Sequence, residues 1–281
     1  MKRMMALVLS LALLAGCAPA AVDNGKTHIL CTTYPVYLFT TAAVGDAPDM
    51  AVELLVNQQT SCLHDYTLTV EDMKAIDRAD IIVMNGAGLE DFMADALAQK
   101  DVPVIDCSEN ISLLPALDHH HHDGEDEDDH EIDPHYWMDP ARAEQMMANI
   151  ARGLGSDAPV PHLPSSPEHG KQLAPLITFH DGFQYFADAF GLELLAAIEE
   201  EEGSEASAKE LVEIIELVEE YNIPAIFVEK NGSRRSADVI ARETGCKVYE
   251  LDLIMSGNGV GIEPYLQAME QNLATIEEAL G

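Results

Sequence analysis

The chain has 281 residues, 47% of them hydrophobic, and a formal net charge of −35 from 15 Lys+Arg against 50 Asp+Glu. Such a charge repels phosphate, which excludes nucleic acid as a partner and leaves cations as the natural ligands. The apolar share can bury a full core, and the length suits one large domain or two modest ones.

At the N-terminus Lys2 and Arg3 precede an apolar run from Met4 to Leu14. This has the form of a secretory signal and is too short to cross a bilayer as a helix. The run ends Leu14-Ala15-Gly16-Cys17, the form of a bacterial lipobox, so residues 1–17 are read as a lipoprotein signal with Cys17 as the lipidated residue. An ordinary signal peptide with an incidental cysteine is the alternative. Residues 1–16 hold two positive charges and no acid, so the remainder carries a net −37. The expected location is extracytoplasmic, membrane-anchored, at a cell surface or in a periplasm.

From Thr27 short β-rich runs alternate with amphipathic helices. Strands are predicted at 28–33, 52–56, 81–86 and 102–107. Before the third strand lies "TVEDMKAIDRAD", with Thr69 as N-cap and Met73 and Ile76 at helical spacing. The rhythm then repeats, with strands at 175–180, 194–198, 225–229 and 247–251. Ser207 and Glu210 have capping-box spacing ahead of a stripe of Leu211, Ile214, Ile215 and Val218. "SADVIARET" forms a further helix, ended by Gly245. This alternation predicts an α/β fold of two lobes, each a parallel sheet flanked by helices. The expected division is an N-terminal lobe over 26–139, a linker helix and Pro/Gly/Ser-rich linker over 140–172, and a C-terminal lobe over 173–281.

Residues 118–137, "DHHHHDGEDEDDHEIDPHYW", gather six of the eleven histidines and nine carboxylates. Segment 118–133 has almost nothing to build a core and is expected to be disordered. Four cysteines follow Cys17: Cys31, Cys62, Cys107 and Cys246. An even count in an exported chain permits two disulfides, and free buried thiols are the equal alternative.

Open parallel sheets bind ligands beyond the carboxyl ends of their strands. The polar residues there are His64, His135, His180, Glu229 and Asp252. Taken singly, each can serve the backbone in a loop or turn. Together, three imidazoles and a carboxylate make a sensible set for a borderline divalent metal in a cleft between lobes.

Several long motifs, in order, resemble the metal-binding lipoproteins of zinc and manganese ABC importers, the cluster A-I substrate-binding proteins. They are "CTTYPVYLFTTAAVGD", "LHDYTLTVEDMKAIDRADIIVMNGAGLEDF", "DPHYWMDPARA", "FHDGFQYFADAFGL" and "IFVEKNGSRRSADVIARETGCKVYELD", covering nearly the whole chain. The resemblance implies metal ligands at His64, His135, His180 and Asp252, with Glu229 as a supporting or alternate carboxylate. Manganese-selective relatives carry Glu at the third position, so His180 implies zinc over manganese, in keeping with manganese's preference for oxygen. The His/acid-rich loop is typical of zinc-type members, and His119, His120, His121, His122 and His130 are expected to capture Zn2+ weakly. A solubilising charged loop is the plain alternative. The implied protein is a monomeric, non-catalytic receptor, anchored in the membrane through its N-terminal lipid, that hands Zn2+ to an ABC permease and its cytoplasmic ATPase.

Two departures stand out. The family runs a long helix behind both lobes, whereas here Gly153, Gly155, Pro159, Pro161, Pro164 and Pro167 limit it to Pro140–Leu154. A shorter strut implies freer hinging. The usual Pro before the first ligand is also missing from "SCLH", where Cys62 stands two residues ahead of His64. Another class of function is an exported zinc hydrolase, but there is no HExxH and Glu229 is the only candidate base. A metal-binding adhesin or zinc buffer is a third reading.

Overall fold

A computed structural model describes residues 25–57, 63, 66–117, 132–164, 175–199, 206–230 and 232–280. Two four-stranded parallel sheets organise it. The first contains β1 (Thr27–Cys31), β2 (Met50–Leu54), β3 (Ile81–Met84) and β4 (Val104–Asp106) in the order β2-β1-β3-β4. The second contains β5 (Leu176–His180), β6 (Leu194–Glu199), β7 (Ala225–Glu229) and β8 (Lys247–Leu251) in the order β6-β5-β7-β8. All eight predicted strands form, and every pairing is parallel.

The helices are α1 (Tyr34–Val44), α2 (Val70–Arg78), α3 (Ala94–Leu97), α4 (Pro140–Leu154), α5 (Gln184–Phe190), α6 (Ala208–Glu220), α7 (Arg235–Thr244) and α8 (Glu263–Leu280). Local chemistry sets their ends. Thr69 Oγ1 accepts from the Asp72 amide and Asp72 returns the contact to the Thr69 amide, while Ser207 and Glu210 do the same for α6. Gly155 and Gly245 close α4 and α7 in the left-handed conformation. One expectation fails: Met73 is 44% exposed, and α2 packs through Ala75 and Ile76.

Strand periodicity aims the site. In β5, Ile177 and Phe179 enter the core beneath α6 and α7, and Leu176 faces the larger core shared with the first half. In β7, Ile226 and Val228 take the first direction and Ala225 and Phe227 the second. Alternation therefore turns His180 and Glu229, the last residues of β5 and β7, toward the first sheet's half.

Buried tyrosines and a tryptophan join the halves. Trp137 Nε1 donates to Leu253 O at 2.9 Å, Tyr265 OH donates to Trp137 O at 2.8 Å, and Tyr185 OH donates to Asp133 O at 2.8 Å. Tyr185 also accepts from the Leu114 amide at 2.8 Å. Farther out, the amides of Gly259 and Gly261 donate to Tyr34 OH and Thr41 Oγ1 on α1. These contacts lie between the halves.

Cys31, Cys107 and Cys246 are buried, free thiols. Burial pushes the Cys31 thiol up to about 12 and Cys107 well above its ordinary range. Cys62 and the signal with Cys17 lie outside the described residues. Among the described residues, no helix is long and apolar enough to cross a membrane.

Candidate metal centre

His135 and His180 arrive from opposite halves. His180 ends β5, and the Asp133–His135 segment precedes a single 3-10 turn, Tyr136–Met138, that leads into α4. Asp139 Oδ1 accepts from the Ala141 amide and Pro140 fills the first helical position, so the "DPHYWMDP" stretch becomes a fixed entry to a helix. Both imidazoles are buried, at 1% and 4% exposure.

Their geometry is convergent. The two Nε2 atoms stand 3.3 Å apart, with the rings perpendicular. Asp133 Oδ1 lies 2.8 Å from His135 Nδ1 and also accepts from the His135 backbone amide at 2.8 Å. That carboxylate fixes the tautomer: Nδ1–H points to Asp133, and the Nε2 lone pair faces His180. Gln184, with its amide nitrogen turned inward, donates to Asp133 Oδ2 at 3.2 Å.

Asp181 completes the cluster. Its Oδ1 is 3.4 Å from His180 Nε2, and the ligand atoms of His135, His180 and Asp181 all lie within 4.8 Å of one another. It is the only such His/Cys/Asp/Glu group among the described residues. Glu229, 5% exposed, places Oε1 3.8 Å from His180 Nε2. Space beside His180 depends on Gly182, where a Cβ would come within 2.8 Å of Leu253 Cδ2 and 3.0 Å of His180 Cδ2.

Asp252 follows β8, outside the cluster; its Oδ2 is 2.8 Å from Lys230 Nζ and its Oδ1 accepts from the Ile254 amide at 2.8 Å. Ile254 holds a φ of 63°, a conformation costly for a β-branched residue, so this turn is tightly constrained. His64, His119, His120, His121, His122 and His130 fall outside the described residues. Sequence reasoning did not single out Asp133 or Asp181 as site residues. Their only signals are adjacency, in "DPH" and "FHD".

Comparison with known proteins gives a consistent result. The chain matches the family described as "Zinc-uptake complex component A periplasmic" over residues 29–160 and 167–279. It is 29% identical over 310 residues to the zinc-binding lipoprotein AdcA of Streptococcus pneumoniae, covering 99% of this chain and 61% of AdcA. The Zn(II)-bound ZnuA-like domain of that AdcA superposes with a TM-score of 0.69 at 27% identity, covering 91% of this chain and 99% of the domain. The high-affinity zinc uptake system protein ZnuA of Bacillus subtilis is 27% identical over 286 residues, covering 91% of this chain and 88% of ZnuA. The substrate-binding protein FpvC of Pseudomonas aeruginosa, solved with Mn2+, gives a TM-score of 0.73 at 25% identity, covering 91% of this chain and 98% of FpvC. The chain thus spans about three fifths of the length of the AdcA relatives it matches.

Proposed function

The chain belongs to the zinc-uptake component A family, and from that premise we propose that it is an extracytoplasmic receptor that captures Zn2+ between its two halves for an ABC importer. In this reading His135 and His180 supply two imidazoles, His64 a third, and Asp181 the carboxylate, with Glu229 behind it. Asp252 ranks after Asp181 as a ligand because Asp181, and not Asp252, shares the cluster of ligand atoms with His135 and His180.

One observation carries the reading. Two ligand atoms about 2.05 Å from a tetrahedral zinc ion lie about 3.3 Å from each other. The Nε2–Nε2 separation is 3.3 Å and the Nε2–Oδ1 separation is 3.4 Å. The two edges that meet at His180 Nε2 already match a zinc tetrahedron's edge, and the nitrogen donors suit zinc better than manganese. Four protein ligands would close the ion's coordination, as capture and delivery require and hydrolysis does not. Protonation of the imidazoles supplies a route to release. Delivery to a permease driven by a cytoplasmic ATPase, anchoring through Cys17 and weak capture by the 118–131 histidines belong to the same proposal.

Titration of Zn2+ into the metal-stripped chain tests it. One tight equivalent is expected, abolished by His180→Ala and weakened more by Asp181→Asn than by Asp252→Asn. Deleting 118–131 should remove only weak additional equivalents. A tight site that survives His180→Ala would refute the assignment.

A further inference from the structure

Each sheet reverses its strand order between two central strands, β1 and β3 in the first and β5 and β7 in the second. Open parallel sheets receive ligands at that crevice. In the second sheet it holds His180 and Glu229. In the first, the equivalent strand ends lead into Thr32 and Asn85, and a carboxylate of the chain itself fills the crevice. Glu90, 2% exposed, accepts from Thr32 Oγ1 at 2.5 Å and the Asn85 amide at 2.7 Å through Oε1, and from the Gly86 amide at 2.9 Å through Oε2. Gly86 makes this turn possible: its φ is 80°, and a Cβ there would lie 2.0 Å from Asp106 Oδ1.

Asn85 faces the other way as well. Its Nδ2 donates to Pro134 O at 3.0 Å and Gly86 O at 3.1 Å, and its own carbonyl accepts from Tyr136 OH at 2.5 Å. Pro134 and Tyr136 are the two chain neighbours of His135. The residue is therefore gripped on both sides by one buried asparagine, whose backbone is fixed by one buried glutamate.

We propose that Glu90 and Asn85 are positioning residues for His135, converting the first sheet's crevice into a clamp that holds this imidazole against His180. Neither touches the ion; they act through Pro134 and Tyr136. The inference rests on the reading of His135 as a zinc ligand. A metal site demands placement within about 0.5 Å, and its supporting hydrogen bonds set that placement.

A matched control separates positioning from general stability. Asn149, also buried, donates Nδ2 to Cys107 O and Glu109 O, each at 2.9 Å, and makes no hydrogen bond to the residues flanking His135. Zinc affinity by chelator competition, the visible absorption of the Co2+-loaded protein and the metal-free Tm are measured for Asn85→Leu, Tyr136→Phe and Asn149→Leu. Asn85→Leu and Asn149→Leu should lose similar Tm. Only Asn85→Leu and Tyr136→Phe should weaken zinc, by about tenfold, and alter the Co2+ spectrum. Should Asn85→Leu fail to fold, Tyr136→Phe, which removes one hydroxyl, decides the matter. Wild-type affinity and spectrum in Tyr136→Phe, or equal weakening in Asn149→Leu, overturns the inference while leaving the receptor standing. An unmodified chain with no tight site removes both.

Discussion

Replacing Asp133 tests how much of the metal affinity is made by a residue that never meets the metal. Its Oδ1 is 2.8 Å from both the backbone nitrogen and Nδ1 of His135, and its side chain is 3% exposed. A buried carboxylate on the far nitrogen holds the ring's orientation and raises the donor strength of the near one, and its loss costs about 10- to 100-fold in metal affinity. This corresponds to about 1.4–2.7 kcal/mol of binding free energy. Asp133→Asn can keep a neutral acceptor for Nδ1–H and belongs at the low end. Asp133→Ala removes both contacts and belongs at the high end. The alanine also leaves the buried His135 amide without its acceptor, a further loss of about 1–3 kcal/mol in folding stability. Competition with a chromophoric chelator measures the first quantity, and urea unfolding of the metal-free protein the second. Zinc affinity within about twofold of wild type in Asp133→Ala, at a site still lost in His180→Ala, would refute the reasoning.

Other outcomes follow from buried groups. Burial raises Glu90 from 4.5 to about 7, against the pull of its three hydrogen-bond donors and with repulsion from Asp106 in the same direction. The folded protein then holds this proton more tightly than the unfolded chain, so Glu90's contribution is fully present below about 4.5 and lost as pH rises through about 7. The difference is about 3 kcal/mol; urea unfolding across that window should show a decline that Glu90→Gln lacks, and parallel curves would count against it. Tyr185→Phe removes the hydroxyl that bridges Leu114 and Asp133 and should lower stability by about 1–3 kcal/mol in the same assay, with an unchanged midpoint as the contrary result. Cys31 and Cys107 should escape alkylation at pH 8 until the chain unfolds, because burial withholds the thiolate that reacts. Labelled Cys31 peptides from native protein would contradict this.

The strand rhythm, the capping residues and the strand-end positions of His180 and Glu229 are written in the sequence, because they depend on neighbours within one element. Even so, local periodicity misleads at Met73, which shares helical spacing with Ile76 yet faces solvent. It is also weak for α8, whose buried positions are Tyr265, Met269, Asn272 and Ile276. The third is polar, retained because its amide pairs with the backbone of Asp252. Alternation along β5 and β7 puts His180 and Glu229 on one face, and only the packing of α6 and α7 on the opposite face decides that this one meets the first half. The place of Asp181 beside the imidazoles was equally out of reach. Asp252 and Asp181 both follow strands, and it is Lys230, 22 residues before Asp252, that engages the former while the latter stays near His180 Nε2. Residue types and strand ends are local properties of a chain. Which face is covered and which charge finds a partner depend on distances between segments remote in sequence, and only tertiary packing sets those distances.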